Sequence, residues 1–95
     1  MPNYKLSNEA KEDLIRIYHY GVRRFGSTQA DKYYDQFFEN FEVIASRPFS
    51  FEAIDHLRSG YRRCVSGVDS IIFRIENDTV EIMAIVGRQN IENII

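Results

Sequence analysis

Three short apolar runs separated by turn residues fill the last third of the chain, from Gly60-Tyr61-Arg62-Arg63 to Gly87-Arg88-Gln89-Asn90. Short links between such runs make an antiparallel meander. Its strands are Tyr61 to Val65, Ser70 to Ile75 and Thr79 to Val86, with Asn77-Asp78 as a hairpin turn pair. The runs Ile71-Ile72-Phe73 and Ile82-Met83-Ala84-Ile85-Val86 do not alternate cleanly, which predicts central strands covered on both faces. Arginines punctuate them: Arg62 and Arg63, Arg74, Arg88. An unpaired buried guanidinium is costly, so these side chains must face water or a partner. The last third therefore predicts a sheet with a cationic rim, and the residues before it must supply the cover.

The cover reads as a helical hairpin. Ala10, Leu14, Ile17, Tyr18, Gly21 and Phe25 recur at helical spacing between about Asn8 and Phe25. Ser7 suits the N-cap, and Gly26 suits a left-handed stop. Ser27 or Thr28 is predicted to cap a second helix to about Arg47, with Ala30, Tyr33, Tyr34, Phe37, Phe41, Ile44 and Ala45 on its buried face. Pro48 ends it. The aromatic stripe fits core packing better than a cofactor site, since its spacing is that of a buried helix face and no phosphate loop is nearby. Before the first helix, Asn3 to Leu6 reads as a strand. Phe49 to Ser59 reads as a loop tucked onto the domain by Phe49, Phe51, Ile54 and Leu57.

Length and composition bound the rest. Ninety-five residues, 44 % hydrophobic and 27 % charged, make one domain over residues 1–95 and exclude a disordered chain. The net charge of −2 argues against gripping nucleic acid through a broadly basic surface, so any nucleic-acid contact must be local; no direct sequence-specific nucleic-acid partner is expected. Cys64 is the sole cysteine, so an internal disulfide and a thiolate metal cluster are excluded. It reads as a small buried hydrophobe on a strand, in a protein suited to a reducing cytoplasm. The early charges Lys5, Glu9, Lys11, Glu12 and Asp13 leave no signal peptide or membrane span to expect. No cofactor or metal is expected.

The order strand, helix, helix, strand, strand, strand resembles the RelE/ParE toxin superfamily. The pieces that carry the likeness are Tyr4-Lys5-Leu6-Ser7 leading into Ala10, Asp13 and Leu14, then Arg24-Phe25-Gly26 and Ala45-Ser46-Arg47-Pro48. Leu57-Arg58-Ser59-Gly60-Tyr61-Arg62, Ile72-Phe73-Arg74-Ile75, Val80-Glu81-Ile82 and Ile85-Val86-Gly87-Arg88-Gln89-Asn90 complete it. The ending looks closer to the ParE branch, with Asn90 where an acidic residue is common and no histidine before the motif. The resemblance implies an α+β fold, β-α-α-β-β-β, with the helical hairpin packed on a mainly antiparallel four-stranded sheet. It also implies a cytoplasmic toxin of a type II toxin–antitoxin system, of the kind that stabilises plasmids. Such toxins inhibit DNA gyrase by trapping its cleaved-DNA complex. A ParD-like antitoxin neutralises them by wrapping its C-terminal segment around the toxin in a hetero-oligomer.

The RelE branch instead cleaves mRNA on the ribosome, and that alternative makes chemical demands. Attack by a 2′-hydroxyl needs a base, an acid and cations on the phosphate. Arg62, Arg74 and Arg88 would serve as cations, but the meander holds no His, no Lys and no Tyr beyond Tyr61. His19 reads as a packed or surface helical residue, and His56, Glu52 and Asp55 as solvated loop residues. A binding protein without catalytic residues is therefore the preferred reading. Arg62, Arg74, Arg88 and Gln89 are candidates for the face that meets target or antitoxin. The competing reading pairs each arginine with Glu76, Asp78, Glu81 or Glu92.

Helix 1 also carries Ile15, Tyr20 and Val22 away from its main stripe, which predicts a second apolar surface. An antitoxin helix is expected across the hairpin there, with an antitoxin strand extending a sheet edge. Ile91-Glu92-Asn93-Ile94-Ile95 is expected either to offer a further partner surface or to form a short extension of the last strand packed on a helix; these residues lie outside those the structure describes.

Overall fold

The computed structural model describes residues 3–88. Its order is β1 (Tyr4–Leu6), α1 (Asn8–Phe25), α2 (Ser27–Ser46), β2 (Glu52–Ala53), β3 (Tyr61–Ser66), β4 (Asp69–Glu76) and β5 (Thr79–Gly87), with a 3-10 turn at Pro48–Ser50. The sheet has five strands in the order β1-β5-β4-β3-β2, not four. The additional strand is the two-residue β2, which pairs Glu52 with Arg63 and Ala53 with Arg62 inside the expected loop. β3, β4 and β5 form the antiparallel meander, and β1 runs parallel to β5 in the register Tyr4–Val80 to Leu6–Ile82. Asn77 and Asp78 both take positive φ in the β4–β5 turn (52° and 63°), which matches the twist of a tight hairpin.

Ser7 caps α1 as its sequence position predicts, its hydroxyl accepting from Ala10 N at 3.0 Å. Gly26 departs from expectation. Its φ of 90° is positive, but its ψ of 162° is extended rather than left-handed helical. Gly26 N donates to Val22 O and Gly26 O accepts from Ala30 N, so one residue ends α1 and begins α2. Neither Ser27 nor Thr28 caps α2; the N-cap is Gly26, without a side-chain bond. Joining the helices through one extended glycine leaves no residue over for a side-chain cap.

Helix and sheet meet in the main core. Ala10 and Leu14 of α1 and Phe37, Phe41 and Ile44 of α2 pack on Cys64, Ile71, Phe73, Val80, Ile82 and Ile85. Burying such apolar side chains contributes about 1.5–3 kcal/mol each. Cys64 sits there as a small hydrophobe, and burial raises its thiol pKa. The opposite face of the sheet is covered by the loop after β2. Ile54, with Leu57 beside it, packs on Tyr61, Ile72, Ala84 and Val86. Phe49 departs from the expected tuck and stands 73 % exposed.

The unalternating run in β5 has a second cause beyond two-sided burial. Ile72 faces Ala84 and Phe73 faces Ile82, so Met83 is an extra residue with no partner on β4. This bulge keeps Ile82 and Ile85 both in the helix-side core, although they stand an odd three positions apart. It also sits where β1 stops. There α1 satisfies the vacated edge: Ser7 Oγ donates to Met83 O at 2.8 Å, and Ile85 N donates to Asp13 Oδ2 at 2.9 Å. Arg16 Nη2 approaches Ile85 O at 3.4 Å.

Candidate functional site

The strand arginines do not form one rim. Arg62 is opposite Phe73, a helix-side core residue, so it lies on the helix face of the sheet. Its Nη1 donates to Phe51 O at 2.7 Å, and its guanidinium stands 5.1 Å from the Phe49 ring centre. It therefore holds the segment after α2 in place. Arg74 is opposite Tyr61 and Glu81, on the other face. Its Nε donates to Glu81 Oε1 at 2.8 Å and its Nη2 pairs with Glu76 Oε2 at 3.1 Å. Lys5 reaches the same Glu81 at 3.7 Å. Arg74's hydrogen bond is the main cause that lowers the Glu81 carboxyl pKa, and in return it raises that of the guanidinium. Arg63 pairs with Glu52 across β3 and β2 at 3.0 Å.

Two loop carboxylates expected to be merely solvated are thus structural. Glu52 holds Arg63, and Asp55 Oδ1 accepts from Gly60 N at 2.7 Å. His19 and His56 are both exposed. Among the described residues, no group of three or more His, Cys, Asp or Glu side chains gathers as a metal site would require.

Arg88 is the exception. It lies past the far end of β5 and is exposed; its N–H donates to Val68 O at 3.0 Å, and no ion pair joins its side chain to a described residue. Gln89 lies outside the described residues.

Beside Arg88's anchor is a groove of about 680 Å³, which sequence reasoning missed. Ile17, Tyr20 and Phe25 of α1, Ala30 and Tyr33 of α2, and Val68 of the β3–β4 turn line it. Its apolar walls are open to solvent, with Tyr20 54 %, Phe25 65 % and Val68 75 % exposed. The turn is held against α2 by Tyr33, whose hydroxyl accepts from Val68 N at 3.3 Å and lies 2.9 Å from Ser66 O. Gly67 makes that approach possible. Its φ is +60°, and a Cβ there would stand 2.6 Å from Tyr33 Cε1.

Ile15, Tyr20 and Val22 do not share a surface. Tyr20 lines the groove, whereas Ile15 is 56 % exposed beside Tyr18, His19, Asp31 and Tyr34 on the opposite flank. Val22 follows Ile15 by seven residues, hence on the same flank, and is half-buried. At 100° per residue, Tyr20 falls on the other side of the helix axis, which a reading of apolar excess alone does not separate.

The chain thus presents a helical hairpin on a mixed five-stranded sheet, an apolar groove at the hairpin tip, and Arg62, Arg63 and Arg74 engaged by groups of the chain itself. The family description "ParE toxin of type II toxin-antitoxin system, parDE" matches residues 4–91. Toxin ParE1 of Caulobacter vibrioides is 39 % identical over 75 residues, covering 79 % of this chain and 78 % of that one. A solved chain from the chromosomal ParDE toxin–antitoxin system of P. aeruginosa superposes with a TM-score of 0.80 at 21 % identity, over 92 % of this chain and 96 % of that one, and shares the fold. The chain belongs to the ParE toxin family and is a ParE-type toxin of a type II toxin–antitoxin system. No helix among the described residues is long and apolar enough to cross a membrane.

Proposed function

We propose that this toxin acts by binding rather than catalysis, inhibiting DNA gyrase in the cytoplasm and trapping its cleaved-DNA complex. A ParD-like antitoxin neutralises it by wrapping a C-terminal segment around it in a hetero-oligomer. Family membership supports the target and the partner. The observation that carries the binding reading is the engagement of Arg62 and Arg74. Cleavage of RNA needs cations free to receive a phosphate, yet these two are bound to Phe51 and to Glu81 and Glu76, on opposite faces of the sheet. Arg88, with Gln89 next in sequence, is left as the cationic candidate for the target-facing surface.

The groove between Tyr20, Phe25 and Val68 is the seat for an amphipathic antitoxin helix, laid across the hairpin in the helix-in-groove manner. Ile15 and Val22 offer a second strip on the outer flank. The outer edge of β1 or of β2 remains for an added strand.

A supercoiling assay tests the target. Purified toxin should inhibit gyrase and accumulate cleaved DNA. Unaffected gyrase, together with codon-located mRNA cuts on translating ribosomes, would establish the nuclease alternative instead. For the partner, Tyr20→Asp should weaken antitoxin binding at least tenfold with the far-UV spectrum unchanged. Equal affinity for Tyr20→Asp excludes the groove, and equal affinity for Ile15→Asp and Val22→Asp excludes the flank.

A further inference from the structure

We propose that the hairpin-tip groove takes a cationic side chain as well as apolar ones: the antitoxin helix seated there carries a lysine or arginine whose charge meets Asp69. This rests on the groove being the antitoxin's seat, and it names the chemistry the groove demands of its occupant. Among the described residues, the charged side chains that line the groove are Arg16 and Asp69. No ion pair joins them. Arg16 is held instead by Asp13, with Nη2 at 3.2 Å from Oδ1, and approaches Ile85 O at 3.4 Å. Asp13 is thus the counter-charge of Arg16, and its other oxygen accepts from Ile85 N. Asp69 receives a neutral donor, the Tyr33 hydroxyl, at 2.8 Å on Oδ2. Two carboxylates around one guanidinium leave an excess of negative charge, and Asp69 carries it on the groove wall.

That charge is already partly withdrawn from water. Asp69 is half-buried, and burial raises its carboxyl pKa against the Tyr33 bond and the Arg16 charge, which lower it. A helix laid over the groove strips away the remaining water, and an unpaired buried charge is costly. A wholly apolar occupant therefore works against Asp69. A cation on the occupant turns the same desolvation into a stronger attraction. The apolar walls accept it, because the methylene stem of a lysine or arginine lies along such surface and carries the charge at its end.

The position of the cation follows from the hairpin. Gly21 lies against Ala30, and Tyr18 meets Tyr34 edge-on with ring centres 5.5 Å apart. Tyr33, and Asp69 with it, therefore stands level with Arg16 and Ile17 of α1, whereas Phe25 stands at the tip. Phe25 follows Arg16 by nine positions (25 − 16), a helical rise of about 14 Å. A helix following the groove thus sets its cation about two turns from the apolar side chain that meets Phe25.

Binding of the purified toxin to its ParD-like antitoxin tests this. Asp69→Asn keeps a carbonyl oxygen for the Tyr33 hydroxyl and removes the charge. It should weaken binding at least tenfold and flatten the loss of affinity with added salt. The antitoxin's lysines and arginines, replaced by glutamine one at a time, should include one whose loss is large against wild-type toxin and small against Asp69→Asn. Carboxyl NMR of the wild-type complex gives a reading that depends on no variant's folding. A cation lowers the Asp69 carboxyl pKa below its value in the free toxin, whereas apolar burial raises it further. Unchanged affinity for Asp69→Asn, no coupled position in the antitoxin, or a raised Asp69 pKa in the complex would overturn the proposal. If Tyr20→Asp weakens binding all the same, the groove remains the antitoxin's seat and only the cation is excluded. If Tyr20→Asp binds as wild type does, the groove reading fails with it.

Discussion

The hydroxyl of Tyr33 lies 2.8 Å from Asp69 Oδ2, bridging the second turn of α2 to the first residue of β4. Burial raises the Asp69 carboxyl pKa, and the Tyr33 bond opposes that rise. Burial and the same bond push the phenol's pKa up, so Tyr33 stays a neutral donor through the physiological range. The contact fixes the wall from which Val68 faces the groove.

Tyr33→Phe should therefore cost about 1–3 kcal/mol in denaturant unfolding at neutral pH, since Asp69 loses its donor and Val68 N its acceptor. The Asp69 carboxyl pKa should rise further, measured by carboxyl NMR titration. The sign follows from which form the bond favours. It stabilises the carboxylate, so the deficit is full above the Asp69 pKa and shrinks as pH falls through it. A deficit independent of pH would exclude the bond as its source.

Gly67→Ala tests the same wall from the other side. The positive φ and the approach to the Tyr33 ring both oppose a methyl group there. The expected loss is about 2 kcal/mol or more, read as a lower denaturation midpoint. Tyr33 ring resonances should move as well, because the ring must yield to the added Cβ.

Arg74→Ala should return the Glu81 carboxyl pKa toward its ordinary value of about 4.3. Because Arg74 depresses that pKa in the folded state, its contribution is fully present above the unfolded value. It is lost as pH falls through the depressed folded value. Wild type and variant should differ in stability at pH 7 and converge in acid, a comparison made by urea unfolding across pH.

Arg62→Ala and Arg88→Ala should separate structure from action. Loss of the bond to Phe51 O is expected to cost about 1–3 kcal/mol and loosen the segment around Phe49. Arg88→Ala should leave the melting temperature within a degree or so, as exposed surface changes usually do, yet reduce gyrase inhibition in the supercoiling assay. Equal inhibition by Arg88→Ala and wild type would remove Arg88 from the target-facing surface.

How much of this was legible in the sequence differs by residue. Ser7 and Gly26 marked the bounds of α1 because caps act locally, through hydrogen bonds within a few residues. β2 was not legible, since two residues carry no period; Glu52 and Ala53 are a strand only because β3 lies alongside. The arginines show the same limit. Their presence was plain, but whether Arg62 and Arg74 share a face depends on register, which the turns and the Met83 bulge set at a distance. The groove required three separate segments to meet, and Val68, in a two-residue turn, gave no sign of it. The split of Ile15 from Tyr20 was available from helical angle alone.

The parallel pairing of β1 with β5 joins Tyr4–Leu6 to Val80–Ile82, 76 positions further along the chain (80 − 4). Contacts so distant in sequence form late, because a long loop must close before they are rewarded. During synthesis, α1 emerges long before the strand that Ser7 and Asp13 grip. A ribosome-bound nascent chain thus lacks the platform beneath its hairpin until β5 has cleared the exit tunnel.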